Sequence, residues 1–328
     1  MEIKALIMKN KAKKLIYNII PIAILLIVLI IVGASPNKSN KSVNFRNKDI
    51  AKFDDGLLVV RNLNVGDADS ALIQHNDEIG IIDTGLEDSY DEIVEEIEQT
   101  GTEDISFMIL THYDKDHIGS ALRIVENYNV ETIFIPDYVS EKKLYAPLME
   151  GIGNLPNVHK LSENTTYKWN DVNIEIIVAQ DDSYLEDEKN VDNNESLVCI
   201  MSYGTNRLLF TGDIEKDRIE DLIDSGINLS CDWIKIPHHG KDEKQALNLA
   251  KYTTPEYAVI STSAEVTEAV DTANALTNAG VKTYSTVNGE VITVANGIMV
   301  SSEYADSYDD NYINKMKGMM RNELGIID

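Results

Sequence analysis

Thr111-His112-Tyr113-Asp114-Lys115-Asp116-His117 directly follows the apolar run Phe107-Met108-Ile109-Leu110. Two histidines and two aspartates thus crowd onto one short turn, where a buried strand should end. Imidazoles and carboxylates packed this closely repel one another or are desolvated unless a cation neutralises them. A metal site is the economical explanation. The alternative is a solvated polar loop, but the chain has only six histidines and four of them sit in two motifs.

The second motif is Trp233-Ile234-Lys235-Ile236-Pro237-His238-His239-Gly240, again a short apolar run ending in histidines. Between the two lies Leu208-Leu209-Phe210-Thr211-Gly212-Asp213, and before them Ile81-Ile82-Asp83-Thr84-Gly85. One device therefore recurs: a hydrophobic strand delivers an Asp or His at its carboxyl end. Layered α/β folds assemble their sites there, because strand ends converge and the loops beyond them are free to vary.

Six segments taken in order resemble the metallo-β-lactamase-like domain of ComEC-type competence DNA-uptake proteins, within the metallo-β-lactamase-fold hydrolases. They are Asn64-Val65-Gly66-Asp67-Ala68-Asp69-Ser70-Ala71-Leu72-Ile73, Ile82-Asp83-Thr84-Gly85, Thr111 to Gly119, Asn194-Glu195-Ser196-Leu197-Val198, Thr211-Gly212-Asp213 and His238-His239-Gly240. The likeness runs over roughly Leu57 to Val300 and implies an α/β four-layer αββα sandwich. It also implies a DNA-degrading role. Asp114 stands where the superfamily's usual motif has its second histidine, as in ComEC-like members. The Asn and the His-Pro pair that the subgroup carries are absent near Ser261-Thr262-Ser263-Ala264-Glu265.

Read residue by residue, His112 and Asp114 are two apart and leave the strand on one side, so they can share one metal. Asp116 and His117 follow on the turn and face a second. Asp213 is the natural bridge, since one carboxylate can hold two cations about 3.5–4 Å apart. His238 completes the second site. Asn194 occupies the place of a further histidine in many family members; it is a direct ligand or supports one. His239 should point away from His238, because neighbours on an extended segment alternate sides. It could bind a third site, protonate the leaving group or make a structural hydrogen bond. Asp69 and Asp83 are expected to orient histidines, a role metal sites need filled; the alternative for both is turn capping.

Two divalent ions held this way would give a metal-bridged hydroxide near neutral pH. Asp116, Asp213 and His239 are the candidate catalytic groups. Zinc suits the imidazoles, while the three aspartates favour manganese.

Leu15 to Gly33 is a nineteen-residue stretch without charge, long enough to span a bilayer's hydrocarbon core. A retained anchor is expected; a cleaved signal peptide ending near Val32-Gly33-Ala34 is the rival. Lys4, Lys9, Lys11, Lys13 and Lys14 precede the span, against Lys38, Lys41, Arg46 and Lys48 after it, which points to an exported domain at the cell membrane. The chain thus divides into a basic segment (1–14), a transmembrane helix (15–33), a tether (34–54), a hydrolase domain (55–305) and a helical tail (306–328).

Residues 1–48 hold nine basic groups and one acid, which leaves 20 basic and 54 acidic groups in 49–328, a formal balance of −34. A surface so acidic repels polyanions and gives no electrostatic footprint for nucleic acid. Cys199 and Cys231 lie in apolar contexts and read as core thiols. The leading expectation is a membrane-anchored two-metal hydrolase of phosphodiester or related ester bonds in a small or polymeric substrate. The alternatives are a nuclease of DNA uptake and a non-catalytic binding module that retains the fold.

Overall fold

The apolar runs form strands in two sheets, seen in a computed structural model that describes residues 56–180 and 191–307. The expected transmembrane helix and tether lie outside the described residues, as does nearly all of the tail. Among the described residues no helix is long and apolar enough to cross a membrane.

Strands are numbered in chain order. The first sheet has the order β17-β16-β1-β2-β3-β5-β7-β8. It comprises β1 Leu58–Asn62, β2 Ala71–His75, β3 Glu78–Ile82, β5 Phe107–Ile109, β7 Ile133–Pro136, β8 Val158–Leu161, β16 Val291–Ala295 and β17 Val300–Tyr304. The second has the order β15-β14-β13-β12-β11-β10-β9. Its members are β9 Thr165–Trp169, β10 Val172–Ile177, β11 Val198–Tyr203, β12 Asn206–Phe210, β13 Trp233–Lys235, β14 Tyr257–Ile260 and β15 Lys282–Ser285. Two short strands, β4 Asp104–Ile105 and β6 Asn129–Val130, pair separately.

The helices are α1 Tyr90–Thr100, α2 Lys115–Ile118, α3 Ala121–Asn127, α4 Tyr145–Ile152, α5 Val191–Asn194, α6 Lys216–Asp224, α7 Glu243–Thr253 and α8 Thr267–Asn278. The segment from Ile118 to Asn127 comprises the end of α2 and all of α3. It breaks at Gly119, where a Cβ would lie 2.4 Å from the backbone of Leu86 and Glu87.

Alternation along the strands builds the layers. In β5, Phe107 and Ile109 face the second sheet, while Met108 and the following Leu110 face helices. In β13, Trp233 joins the core between the sheets and Ile234 the opposite face. The inter-sheet core packs Val60, Ile73 and Phe107 against Ile174, Met201 and Trp233. Ile93, Ile97, Ile124 and Leu148 cover the outer face of the first sheet. Ile219, Leu222, Leu249 and Leu276 cover that of the second. Helices, sheet, sheet and helices follow in order. Gly80 in β3 is required by this packing: a Cβ there would meet the Phe107 ring at 2.1 Å.

Each sheet has a parallel half. β3, β5, β7 and β8 run parallel in the first, as do β12, β13, β14 and β15 in the second. Parallel strands place their carboxyl ends at one edge, so the loops after β3, β5, β12 and β13 can meet. Cys199 and Cys231 are buried free thiols.

Candidate metal centre

The loops are locked together before any side chain is considered. Asp83 N–H donates to Ile109 O at 2.9 Å and Thr84 N–H to His117 O at 2.6 Å, joining the ends of β3 and β5. Across the sheets, Leu197 N–H donates to Thr111 O at 2.8 Å. Asp213 N–H donates to Ser196 Oγ at 3.2 Å, so the turn after β12 is fixed from the same neighbour.

On this frame Asp116, His117, Asp213 and His239 converge, with ligand atoms all within 4.8 Å of one another. His117 Nε2 lies 3.3 Å from Asp213 Oδ2. His239 Nε2 lies 3.2 Å from the same oxygen and 3.2 Å from Asp116 Oδ2. The remote nitrogens are held elsewhere: His117 Nδ1 by Asp83 Oδ2 at 2.8 Å, and His239 Nδ1 by Ser261 O at 2.9 Å. An Nδ1–H given to each acceptor leaves both Nε2 lone pairs aimed into the cluster. His112 stands beside it, its ring 4.1 Å from that of His117 and its Nδ1 3.1 Å from Thr111 Oγ1.

The paired histidines take places opposite to those expected. His239 is buried within the cluster, whereas His238 turns outward with Nδ1 3.3 Å from Glu215 Oε1. The physical reason is the backbone: both residues have positive φ, 49° and 52°, so the segment is a tight left-handed turn. Alternation along an extended strand does not apply there.

Three other residues differ from expectation. Asp114 turns from His112 to the Lys142 ammonium, 2.6 Å away, as the N-cap residue of α2. Asp69 forms an ion pair with buried Lys235 and lies 3.9 Å from His117 Nδ1, so Asp83 does the orienting. Asn194 Oδ1 accepts the Glu215 N–H at 2.9 Å and acts as a loop tie. Lys235 is the group that reading by motif misses. A lone lysine inside the apolar run Trp233-Ile234-Lys235-Ile236 was its signal.

Similarity to known proteins points to the metallo-β-lactamase fold. Residues 63–163 match the model of the metallo-beta-lactamase superfamily. ComE operon protein 3 of Bacillus subtilis (strain 168) is 27% identical over 166 residues, covering 49% of this chain and 20% of that protein. Competence protein ComA of Neisseria gonorrhoeae is 25% identical over 173 residues, covering 52% and 22%. The metallo-beta-lactamase fold protein YhfI from Bacillus subtilis superposes with a TM-score of 0.50 at 12% identity, covering 76% of this chain and all of that one.

Residues 63–163 of this chain thus resemble the metallo-beta-lactamase superfamily, and its sequence is similar to both competence proteins. Its match spans about a fifth of the length of each competence protein.

The residues of this site fit divalent cations. His112 Nε2, His117 Nε2, His239 Nε2 and Asp213 Oδ1 are buried without a hydrogen-bond partner, an arrangement that costs stability unless something satisfies them. Burial alone would depress the His239 pKa, but the Asp213 and Asp116 carboxylates push it up to about 10. His117 is likewise raised, with Asp213 and Asp83 overcoming burial. In the absence of a cation, protons hold these carboxylates and imidazoles together. A divalent cation would satisfy the same atoms, with Asp116, His117, Asp213 and His239 placed to hold it and His112 adjacent.

Proposed function

We propose that this chain is a metal-dependent hydrolase of phosphodiester or related ester bonds. In this reading Leu15–Gly33 anchors it in the cell membrane, with the hydrolase domain outside. The single observation that carries the reading is the convergence of Asp116, His117, Asp213 and His239, whose histidine Nε2 atoms are buried without hydrogen bonds. Divalent cations bound there supply Lewis-acid stabilisation and a water acidified to near-neutral pH.

The chain's own residues supply the rest. Asp213 offers one oxygen to both histidines and holds the centre together. Asp83 fixes the proton on His117 Nδ1, and Ser261 O does so for His239. Buried Lys235 balances the charge of Asp69 behind the site. With Asp114 engaged by Lys142, the converging donors are imidazole and carboxylate in equal number, a set that suits zinc over manganese.

The test is direct. The purified full chain, loaded with zinc or manganese, should contain about two metals and cleave bis(p-nitrophenyl) phosphate in a chelator-sensitive manner. A metal-loaded chain that leaves phosphodiesters and acyl esters untouched refutes the reading and favours a binding module. A second reading, a nuclease of DNA uptake, is favoured by the likeness to two competence proteins. The acidic surface opposes it. Faster cleavage of single-stranded DNA than of small diesters would decide for the nuclease.

A further inference from the structure

A cleft of about 920 Å³ opens against the metal centre, and Asp116 belongs to both. Its size suits a small-molecule ligand or a segment of a larger one. Four of the residues lining it are cations, Lys115, Arg123, Lys142 and Lys143, although residues 49–328 contain only 20 basic groups. A fifth of the positive charge of residues 49–328 therefore lines one cleft in a protein that is otherwise strongly acidic.

Lys142 is engaged by Asp114. Lys115, Arg123 and Lys143 make no ion pair among the described residues. The Arg123 guanidinium lies 3.7 Å over the Tyr90 ring, which orients its plane and leaves N–H donors available. Glu87 and Asp88 also reach the rim. With Asp114 neutralised and Asp116 facing the histidines, three cations stand against those two acids. Leu86 and Leu144 add apolar walls.

We infer that this cleft is an anion subsite for a second phosphate group of the substrate, separate from the ester being cleaved, with Arg123 and Lys143 as its specificity residues. The assignment of the cleft to a substrate rests on the ester-hydrolase reading. A guanidinium fork flanked by lysines matches the several oxygens and double charge of a phosphate. A single carboxylate would leave cations uncompensated.

The experiment is a calorimetric titration of the metal-stripped full chain with inorganic pyrophosphate at low ionic strength. Arg123→Gln/Lys143→Gln should weaken binding at least tenfold, with circular dichroism unchanged. Lys244→Gln/Lys251→Gln, on α7, should bind as wild type does. Absence of wild-type binding, or full retention in Arg123→Gln/Lys143→Gln, overturns the subsite. Malonate binding as tightly as pyrophosphate overturns the phosphate assignment. With metal restored, the cleft variant should raise KM for a p-nitrophenyl phosphodiester bearing a second phosphate at least tenfold more than for bis(p-nitrophenyl) phosphate. An equal change for both esters overturns the specificity role. Intact charge-dependent pyrophosphate binding without turnover of any ester would remove the hydrolase reading and leave the anion site standing.

Discussion

Asp83 Oδ2 lies 2.8 Å from His117 Nδ1, and both residues are buried. The same carboxylate accepts the Thr111 N–H at 2.8 Å through Oδ1 and the Thr111 hydroxyl at 2.8 Å through Oδ2. One side chain at the end of β3 thereby fixes the start of the loop after β5 and sets which way His117 points. It does so from a left-handed backbone position, φ 58°, uncommon for a residue other than glycine. Burial raises the Asp83 pKa against the lowering effect of His117.

Asp83→Asn keeps the shape but loses the charge that holds the His117 proton on Nδ1. Groups that orient a metal-binding histidine typically contribute about 10–100-fold to affinity. Competition with a chromophoric chelator should show a loss in that range. Unchanged affinity would mean that His117 is oriented without Asp83.

The metal-free chain should lose stability as the solution becomes alkaline. His239 has a folded-state pKa raised from 6.5 to about 10, and His117 is raised too. Such groups stabilise the fold fully below their unfolded pKa and cease to as pH rises through the folded one. Tm with chelator present should therefore fall between pH 7 and pH 10. Bound metal replaces those protons, so the loaded chain should hold its Tm across that range. A flat or rising metal-free profile would contradict the protonated pairing of Asp213 with the histidines.

Lys235 is buried against Asp69, and its ammonium also donates to Ile236 O at 3.0 Å. Removing one partner of a buried ion pair strands the other charge, at a cost of about 3–5 kcal/mol. Lys235→Met should show a loss of that order in urea unfolding. Lys235→Met/Asp69→Asn should recover much of it, because the stranded carboxylate is gone. Additive losses would show that Lys235 acts through packing alone.

Much of this site is visible in the sequence because strand ends carry it. Asp83, His112, Asp116, His117 and Asp213 each follow an apolar run, and the parallel halves of the sheets bring four such ends together. The layer count comes from the resemblance alone: Phe107-Met108-Ile109-Leu110 is apolar throughout, and only the fold divides it between inter-sheet core and helix face. The choice between His238 and His239 was not legible. It turns on two consecutive left-handed residues, and nothing in Pro237-His238-His239-Gly240 states which imidazole the turn delivers inward. The partners of Asp114 and Asp69 were equally hidden. Lys142 lies 28 positions from Asp114, and Lys235 is 166 from Asp69. Only tertiary packing pairs them.

Asp213→Asn is the sharpest test of the proposed chemistry. Asp213 Oδ2 is the oxygen shared by His117 and His239, at 3.3 and 3.2 Å. Its backbone N–H is tied to Ser196 Oγ, so the amide should occupy the same place. The substitution removes the negative charge that draws a cation between the two imidazoles. Turnover should fall at least about a hundredfold, roughly 2.7 kcal/mol of barrier, with metal content reduced and circular dichroism retained. Asn194→Ala provides the contrast. Among the described residues it loses the bond to the Glu215 N–H, a contribution to stability of about 1 kcal/mol, and the rate should change by less than tenfold. Steady-state rates of both variants on the ester that the wild type cleaves decide the matter: Asp213→Asn turning over as fast as wild type would exclude any mechanism in which this carboxylate holds the metals.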